Sequence, residues 1–324
     1  MADGTGHVFL TGALGFIGRA IADRYAAEGW EVRGVDLTAD PERGVVAGDV
    51  TEPGPWQEHA DGCEVVIHLA ARLSMGGTHD EFWPINVAST RHAIDAAIRG
   101  GARRFVHTSS IAAFGNSFPD GVDENHPVRP AGIPYIDTKI ASEQVTLAAH
   151  AAGEVPCTIV RPGDVYGPRS RPWVVLTLEA IRARQFLLPA RGRGIFSPVY
   201  VDNLVDGYVL AASEAGAEGQ VFTISDGIGV ECREFFAHHH RWLGVSGPRT
   251  LPTPAAVALA AVTDRVMRLA GRTTEANAGA ARYLARSGTY SIGKARSLLG
   301  YEPRIGLEEG LERSREWAAG AGLL

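Results

Sequence analysis

Short apolar runs alternate with alanine-rich segments through the first half of the chain, and no other feature constrains the fold as strongly. The runs are HVFLTG, EVRGVDL, VVAGDV, EVVIHLAA, RRFVHTSS and PCTIVRPG, and segments such as FIGRAIADRYAAEG between them have helical spacing. Strands that are apolar along their whole length are buried on both faces, as in a parallel sheet covered by helices. The sequence therefore predicts an α/β fold built on a Rossmann-type doubly wound parallel sheet.

The regular alternation ends after about residue 165, where Pro and Arg become frequent. We interpret this change as the start of a smaller substrate lobe. The predicted division is a dinucleotide-binding domain over 1–166, with 197–213 returning to it, and a lobe formed mainly by 167–324.

The first predicted strand ends in TGALGFIG, which places Gly12, Gly15 and Gly18 at a strand-to-helix turn. Glycines at this turn let backbone N–H groups approach a pyrophosphate at the helix N-terminus. Asp36 at the end of the second strand is placed to accept hydrogen bonds from an adenine ribose and to repel a 2′-phosphate. NAD is therefore predicted over NADP, although Arg33 and Arg43 lie close enough in sequence to weaken that preference.

Tyr135 and Lys139 lie one helical turn apart in IPYIDTKIASEQ, and Lys139 is one of only two lysines in the chain. Residues at this spacing share a helix face, so the ammonium group is expected to lie beside the phenol. A nearby positive charge favours the phenolate, and the nicotinamide ring of oxidised cofactor adds a second one. The pair therefore predicts an acid/base tyrosine whose pKa is lowered.

Together with the glycine turn, the motifs HLAA, TSS, Tyr135 with Lys139, RPGDVYGP and VYVDN make the chain resemble the extended short-chain dehydrogenase/reductase family. The resemblance covers nearly the whole chain and implies that Ser110 hydrogen-bonds the reacting oxygen, with Tyr135 and Lys139 completing the catalytic set. Since side chains alternate along a strand, Thr108 and Ser110 are expected on one face and Ser109 on the other.

The same resemblance implies cofactor contacts beyond the glycines and Asp36. Phe16 and Ile17 would meet the pyrophosphate, Asp49 and Val50 the adenine, and Leu69, Ala70 and Ala71 the middle of the cofactor. The residues that would border the nicotinamide half, besides Tyr135 and Lys139, are Asn86, Thr108, Pro162 and Gly163.

Two positions depart from the nucleotide-sugar branch of this family. Asp164 stands where those enzymes usually have Asn, and Phe196 stands where they carry a diphosphate-binding Arg. A carboxylate would repel a diphosphate, and Phe offers it no charged hydrogen bond. Arg191 and Arg193 are near enough to leave a nucleotide sugar open. The C-terminal third resembles the 3β-hydroxysteroid dehydrogenase branch, whose substrates are apolar alcohols and ketones.

These observations predict an NAD-dependent oxidoreductase that interconverts a secondary alcohol and a ketone on an apolar, cyclic, steroid-like molecule. The alternative is a nucleotide-sugar epimerase or dehydratase that keeps NAD tightly bound. A cofactor-binding protein without catalysis is a third reading, and the complete set of Ser110, Tyr135 and Lys139 argues against it.

Composition and charge limit the partners, the location and the metal sites that the chain is expected to have. The net charge of −6 argues against nucleic acid, no stretch approaches the length of a transmembrane helix, and the first residues lack the features of an export signal. Three widely spaced cysteines suggest neither disulfides nor a zinc site, so we expect a cytoplasmic protein. No metal is expected at HHHRWL, because consecutive helical residues point in different directions. The expected partner is a small-molecule substrate, and a homodimer stays open.

Overall fold

The computed structural model describes residues 6–272 and 274–324. Its strands are β1 His7–Thr11, β2 Glu31–Asp36, β3 Val45–Ala47, β4 Val65–His68, β5 Arg104–Thr108, β6 Cys157–Pro162, β7 Asp164–Tyr166, β8 Leu187–Leu188, β9 Ile195–Phe196, β10 Pro198–Tyr200, β11 Val221–Ile224, β12 Val230–Glu231 and β13 Arg249–Thr250. Its α-helices are α1 Phe16–Ala27, α2 His79–Trp83, α3 Ser89–Gly100, α4 Pro134–Ala151, α5 Leu176–Arg182, α6 Val201–Ser213, α7 Cys232–Trp242, α8 Thr253–Leu269, α9 Ala278–Tyr283, α10 Gly293–Leu299 and α11 Leu307–Gly320.

The central sheet is parallel throughout. In the described part of the chain it has seven strands, in the order β11-β6-β5-β4-β1-β2-β3. The order reverses direction next to β1, which is the switch point where doubly wound sheets bind ligands at the carboxyl ends of their strands. The predicted fold class is confirmed.

Both faces of this sheet are covered, which explains why its strands are apolar at consecutive positions. Val8 and Leu10 of β1 face a core that includes Ile21 of α1 and Leu204 of α6. Phe9, between them, faces the opposite core with Ile94 of α3. Alternate side chains of one strand therefore bury themselves against different helix layers.

The later part of the chain forms short strand pairs and helices beside the sheet. The pairs are β7 with β10, β9 with β12 and β8 with β13. An aromatic core joins them, in which Phe196 stacks on Phe235 with ring centroids 4.0 Å apart, and Trp173 meets Phe196 edge-on at 5.0 Å. The helix α8 packs against α9 at the outside of this lobe.

Two segments of the later chain return to the first lobe. Helix α6 packs on α1, and β11 adds to the edge of the central sheet beside β6. Strand β11 lies within the range that the sequence analysis left in the second lobe. We therefore propose a cofactor lobe of residues 6–166 together with α6 and β11. Within the described residues, no helix combines the length and apolarity needed to cross a bilayer.

Candidate active site

The glycine turn connects β1 to α1 at the switch point of the sheet. Gly12 has a φ of 67°, a left-handed conformation that side chains rarely adopt, and a Cβ on Gly18 would lie 2.3 Å from the Gly12 carbonyl oxygen. No side chain caps α1 at Gly15, and its first turn holds no acidic residue. The N-terminal amides of α1, including those at Phe16 and Ile17, thus form an anion-binding end suited to a pyrophosphate.

Asp36 closes this turn from the end of β2. Its carboxylate accepts hydrogen bonds from the Leu14 amide at 2.9 Å and the Leu37 amide at 2.8 Å, and it stays partly exposed. Neither nearby arginine is directed to it: Arg33 donates to Glu31 at 2.6 Å, and Arg43 donates to Asp23 at 2.8 Å. The two arginines that could weaken a preference for NAD are therefore engaged with other carboxylates.

The predicted adenine contacts follow β3 and the predicted middle contacts follow β4, at the same edge of the parallel sheet. Asp49 is exposed, and hydrogen bonds from the Thr51 amide and hydroxyl lower its pKa, while Val50 is buried. The amides of Leu69 and Ala70 donate to the Thr11 hydroxyl at 3.1 and 3.2 Å, which ties the loop after β4 to the end of β1. Ala71 follows in this loop, partly exposed.

Asn86 is buried and fully used by the protein itself. Its amide nitrogen donates to the Thr138 hydroxyl at 3.0 Å and the Arg72 carbonyl at 3.3 Å, and its oxygen accepts from the Arg72 amide at 2.8 Å. Asn86 was expected beside the nicotinamide; in the structure its side chain links the loop at Arg72 to α4. Pro162 and Gly163 follow at the end of β6, where a Cβ on Gly163 would lie 2.7 Å from the Ser197 carbonyl oxygen.

Thr108 and Ser109 divide as strand alternation predicts, whereas Ser110, beyond the strand, influences Tyr135 of the same helix that Ser109 contacts. The Thr108 hydroxyl accepts from the Tyr208 hydroxyl of α6 at 2.8 Å, whereas the Ser109 hydroxyl donates to Glu143 of α4, on the other side of the sheet. Glu143 is itself paired with Arg161 at 2.7 Å. Ser110 lies beyond the last strand residue, where its hydroxyl accepts a hydrogen bond from the Ala112 amide at 3.1 Å and lowers the pKa of Tyr135. Of the two serines, Ser110 is therefore the one that influences Tyr135.

Tyr135 and Lys139 lie on the first two turns of α4, which begins at Pro134. Both side chains are buried, with 6% and 3% of each residue exposed. The Lys139 ammonium donates to the Thr108 carbonyl oxygen at 2.8 Å. Burial lowers the pKa of Lys139 to about 8, against the opposing effect of the Glu143 charge.

The pKa of Tyr135 differs from the sequence-based expectation. Burial raises it to about 12, the neighbouring Ser110 hydroxyl opposes this increase, and the charge of Asp164 adds to it. Within the protein, desolvation of the phenolate therefore outweighs the groups that stabilise it. Lowering by the nicotinamide ring of oxidised cofactor stays a prediction.

Asp164 begins β7, and its environment corrects the expectation that it would face a ligand. Its carboxylate is fully buried and accepts from the Tyr283 hydroxyl at 2.7 Å, from Arg286 at 3.2 Å and from the Ser197 amide at 2.9 Å. Arg286 also donates to the Tyr290 hydroxyl at 3.0 Å. The charge of Asp164 is thus compensated inside the lobe rather than presented to a substrate.

Sequence reasoning missed Tyr283, Arg286 and Tyr290, although all three border the site. Tyr283 packs in the same apolar cluster as Tyr135, and the Arg286 guanidinium lies 3.4 Å from the centre of its ring. The one available signal was Asp164 itself, because a carboxylate in an otherwise apolar strand requires a cationic partner.

The other arginines considered for a diphosphate lie outside this cluster. Arg191 and Arg193 are exposed, while Phe196 is fully buried in the aromatic core. The histidines at 238–240 diverge: His239 packs against Trp242, and His240 hydrogen-bonds the Ser246 carbonyl at 3.1 Å. Across residues 6–272 and 274–324, no group of three His, Cys, Asp or Glu side chains could hold a metal ion.

Comparisons with known proteins agree on one family. The family model described as "NAD dependent epimerase/dehydratase family" matches residues 8–225. The chain is 32% identical to the 4-hydroxy-2-methyl-3-oxo-4-farnesyl-3,4-dihydroquinoline-1-oxide ketoreductase of Stigmatella aurantiaca, over 95% of both proteins. It is 29% identical to a 3 beta-hydroxysteroid dehydrogenase/Delta 5-->4-isomerase of Mycobacterium tuberculosis, over 94% of this chain and 88% of that protein.

A solved structure extends the similarity to a nucleotide-sugar enzyme. The structure of MoeE5 in complex with UDP-glucuronic acid and NAD is 26% identical, with a TM-score of 0.78. The similarity covers 98% of this chain and all of that one. Relatives that differ in their substrates therefore share this fold with the chain.

Proposed function

This chain belongs to the NAD-dependent epimerase/dehydratase family, and on that premise we propose that it interconverts a secondary alcohol and a ketone on an apolar, cyclic molecule. NAD is the proposed hydride carrier. The uncapped N-terminus of α1 and the partly exposed carboxylate of Asp36 support this cofactor, as does the NAD bound in the MoeE5 structure.

The proposed cofactor residues are those predicted from the sequence. Gly12, Gly15 and Gly18 would let the α1 amides reach the pyrophosphate, and Asp36 would accept hydrogen bonds from the adenine ribose. When bound, NAD supplies the atom that accepts or donates the hydride. The chain's own residues have to hold the substrate oxygen and move its proton.

Tyr135 is proposed as the acid/base because its side chain is buried beside Ser110, one helical turn before Lys139. In ketone reduction, a neutral phenol would donate its proton to the oxygen of the new alcohol while Ser110 holds that oxygen. In alcohol oxidation, the phenolate would accept the hydroxyl proton. Lys139, fixed on the Thr108 carbonyl, would bring its positive charge beneath this pair and reach the nicotinamide ribose.

The observation that carries the substrate class is the buried pair of Asp164 and Arg286. Arg286 is held by Asp164 and Tyr290, and Phe196 offers only an apolar ring. A ligand in this lobe would therefore be bound mainly by apolar contact, at about 25 cal/mol per Å² buried, with Ser110 and Tyr135 orienting its oxygen. The ketoreductase and steroid dehydrogenase relatives support the same class.

A nucleotide-sugar epimerase or dehydratase is the second candidate, and the similarity to MoeE5 favours it. The exposed Arg191 and Arg193 could approach a diphosphate after a rearrangement of their side chains. Such an enzyme would return the hydride to the same substrate and release no NADH.

One experiment separates the two candidates. The protein is incubated with NAD and either cyclic secondary alcohols or UDP- and dTDP-sugars, and NADH absorbance and product are both followed, with Tyr135→Phe as the inactive control. NADH formation with a cyclic alcohol is the expected result. Product from a sugar nucleotide without net NADH, together with tight binding of that nucleotide by calorimetry, would overturn the proposal.

The proposed setting is the cytoplasm, where the buried thiols of Cys63, Cys157 and Cys232 would stay reduced. A homodimer is proposed as the assembly, and sedimentation equilibrium would test it.

A further inference from the structure

Helix α8 has two apolar faces, and only one of them packs against the protein. Ala256 is buried, and Ala260, Thr263 and Met267 are partly covered where the helix lies on α9. These positions follow the spacing of one helix face. A surface helix of a globular protein needs only this one apolar face.

The second face is exposed. Leu259, Val262, Val266 and Leu269 expose 51%, 60%, 57% and 81% of their surface. With each residue advancing the helix by about 100°, these four side chains and those of Ala255 and Ala258 fall within a sector of roughly 100°. Single exposed apolar residues are ordinary, but a continuous stripe of this kind indicates a contact surface.

Arginines run along one side of the stripe. Arg265 borders the exposed sector, Arg268 lies further round on the same side, and Arg272 follows after the helix. The one carboxylate of the helix, Asp264, is paired with Arg268 at 3.0 Å. Within the described chain, no carboxylate lies within 4 Å of Arg265 or Arg272, although the whole protein carries a net charge of −6.

We propose that this face of α8 docks on the surface of an anionic lipid bilayer, with the stripe in the acyl boundary and the arginines at the headgroups. An apolar sector with a basic flank is the pattern of helices that lie in the plane of a membrane. A protein partner would more often meet aromatic residues at the centre of its contact, and the stripe has none. The positive flank selects anionic lipids in a chain whose total charge would otherwise be repelled.

Docking through α8 would hold the substrate lobe beside the bilayer. Helix α9 lies against α8 and carries Tyr283 into the apolar cluster that contains Tyr135. The inference goes beyond the proposed function and does not depend on which alcohol or ketone is the substrate.

The test is flotation of the whole protein with lipid vesicles. One set contains phosphatidylcholine with about one third phosphatidylglycerol, and the other contains phosphatidylcholine alone. The protein should float with the anionic vesicles, less with the neutral ones, and less again at high salt. The variant L259S/V262S/V266S/L269S should bind at least tenfold more weakly to anionic vesicles. Arg265→Gln with Arg272→Gln should lose roughly tenfold or more on anionic vesicles and little on neutral ones.

Matched controls are Ile98→Ser and Leu298→Ser, which remove apolar side chains that are 38% and 45% exposed elsewhere. Both should float like the unmodified protein, and circular dichroism and thermal melting check that every variant is folded. Failure of the unmodified protein to float, or equal flotation of the stripe variant, overturns the proposal. So does a lipid-free dimer that the stripe substitutions dissociate, because the face would then belong to a second copy of the chain.

Discussion

Asp36 and Asp164 are carboxylates at strand ends in the two halves of the molecule, and they have opposite uses. Asp36 is partly exposed and accepts only backbone amides, so its charge remains available to a ligand. Asp164 is fully buried, and Tyr283 and Arg286 take up both of its oxygens. The first lobe thus presents the Asp36 carboxylate and the free amides of α1, whereas the charge of Asp164 is compensated inside the second lobe. A charged residue near a site is therefore evidence about the ligand only when no other side chain of the protein is paired with it.

Arg286→Met breaks the buried ion pair of the second lobe and should have the largest effect of the four changes, on stability. It leaves Asp164 buried without its cation, so we expect the free energy of unfolding to fall by about 3–5 kcal/mol in chemical denaturation. Asp164→Asn combined with Arg286→Met should recover part of this loss, because the buried charge is then gone. The exposed Arg191→Met is the control and should change stability by less than about 0.5 kcal/mol. A loss below about 1 kcal/mol in Arg286→Met would mean that the pair is not needed.

Tyr135→Phe tests the proposed acid/base, which packs with Tyr283 where the two lobes meet. Because it removes proton transfer and little contact area, turnover should fall at least about 100-fold while the Kd for NAD changes by no more than a few-fold. Steady-state kinetics and calorimetry measure the two quantities. Lys139→Arg, which keeps the charge but changes its shape, should also lose most activity. Retained turnover in the Phe variant would remove Tyr135 from its proposed role.

The pH dependence of stability tests how deeply Lys139 is buried. Its folded pKa, about 8, is below the unfolded value of 10.5, so the unfolded state binds more protons between these limits and stability rises with pH there. Relative to Lys139→Met, the unmodified protein should gain about 1.4 kcal/mol between pH 7 and pH 9. Using the variant as reference removes the titration of buried tyrosines and cysteines common to both proteins. Parallel stability curves would show that Lys139 is solvated.

Asp36→Ala should have the smallest effect and should be confined to cofactor choice. The ratio of kcat/KM for NAD to that for NADP should fall roughly fivefold, since the carboxylate is partly exposed and screened by water. Stability should be almost unchanged, in contrast to Arg286→Met. Equal use of both cofactors by the unmodified protein would refute the role of Asp36 and direct attention to Arg33 and Arg43.

Local sequence predicted most of the cofactor half because its structure is determined by neighbours in the chain. The alternation of apolar runs gave the strands, and the glycine spacing gave a turn whose left-handed Gly12 and close Gly12–Gly18 approach few other residues permit. The side of the sheet taken by Ser109 followed from the strand period. Such features need no knowledge of distant segments.

The second lobe could not be predicted in the same way because its decisive contacts are long-range. Asp164 and Arg286 are 122 positions apart, and nothing near either residue distinguishes this arginine from the others. Strand β11 joins the central sheet for a similar reason, since its register depends on an open edge at β6. The direction of the pKa shift of Tyr135 was predicted wrongly because it depends on burial, which the local sequence around Tyr135 and Lys139 does not reveal.

The position of β11 at the edge of the central sheet has a consequence for how the chain is made and cut. A fragment that ends near residue 166 would leave the hydrogen-bonding edge of β6 open, and an unpaired apolar edge invites aggregation. During synthesis this edge of β6 stays unpaired until residues 221–224 have been made. The central sheet is therefore completed only after much of the second lobe has been translated. The two lobes are therefore not separable modules, and an expression boundary between them should give insoluble protein.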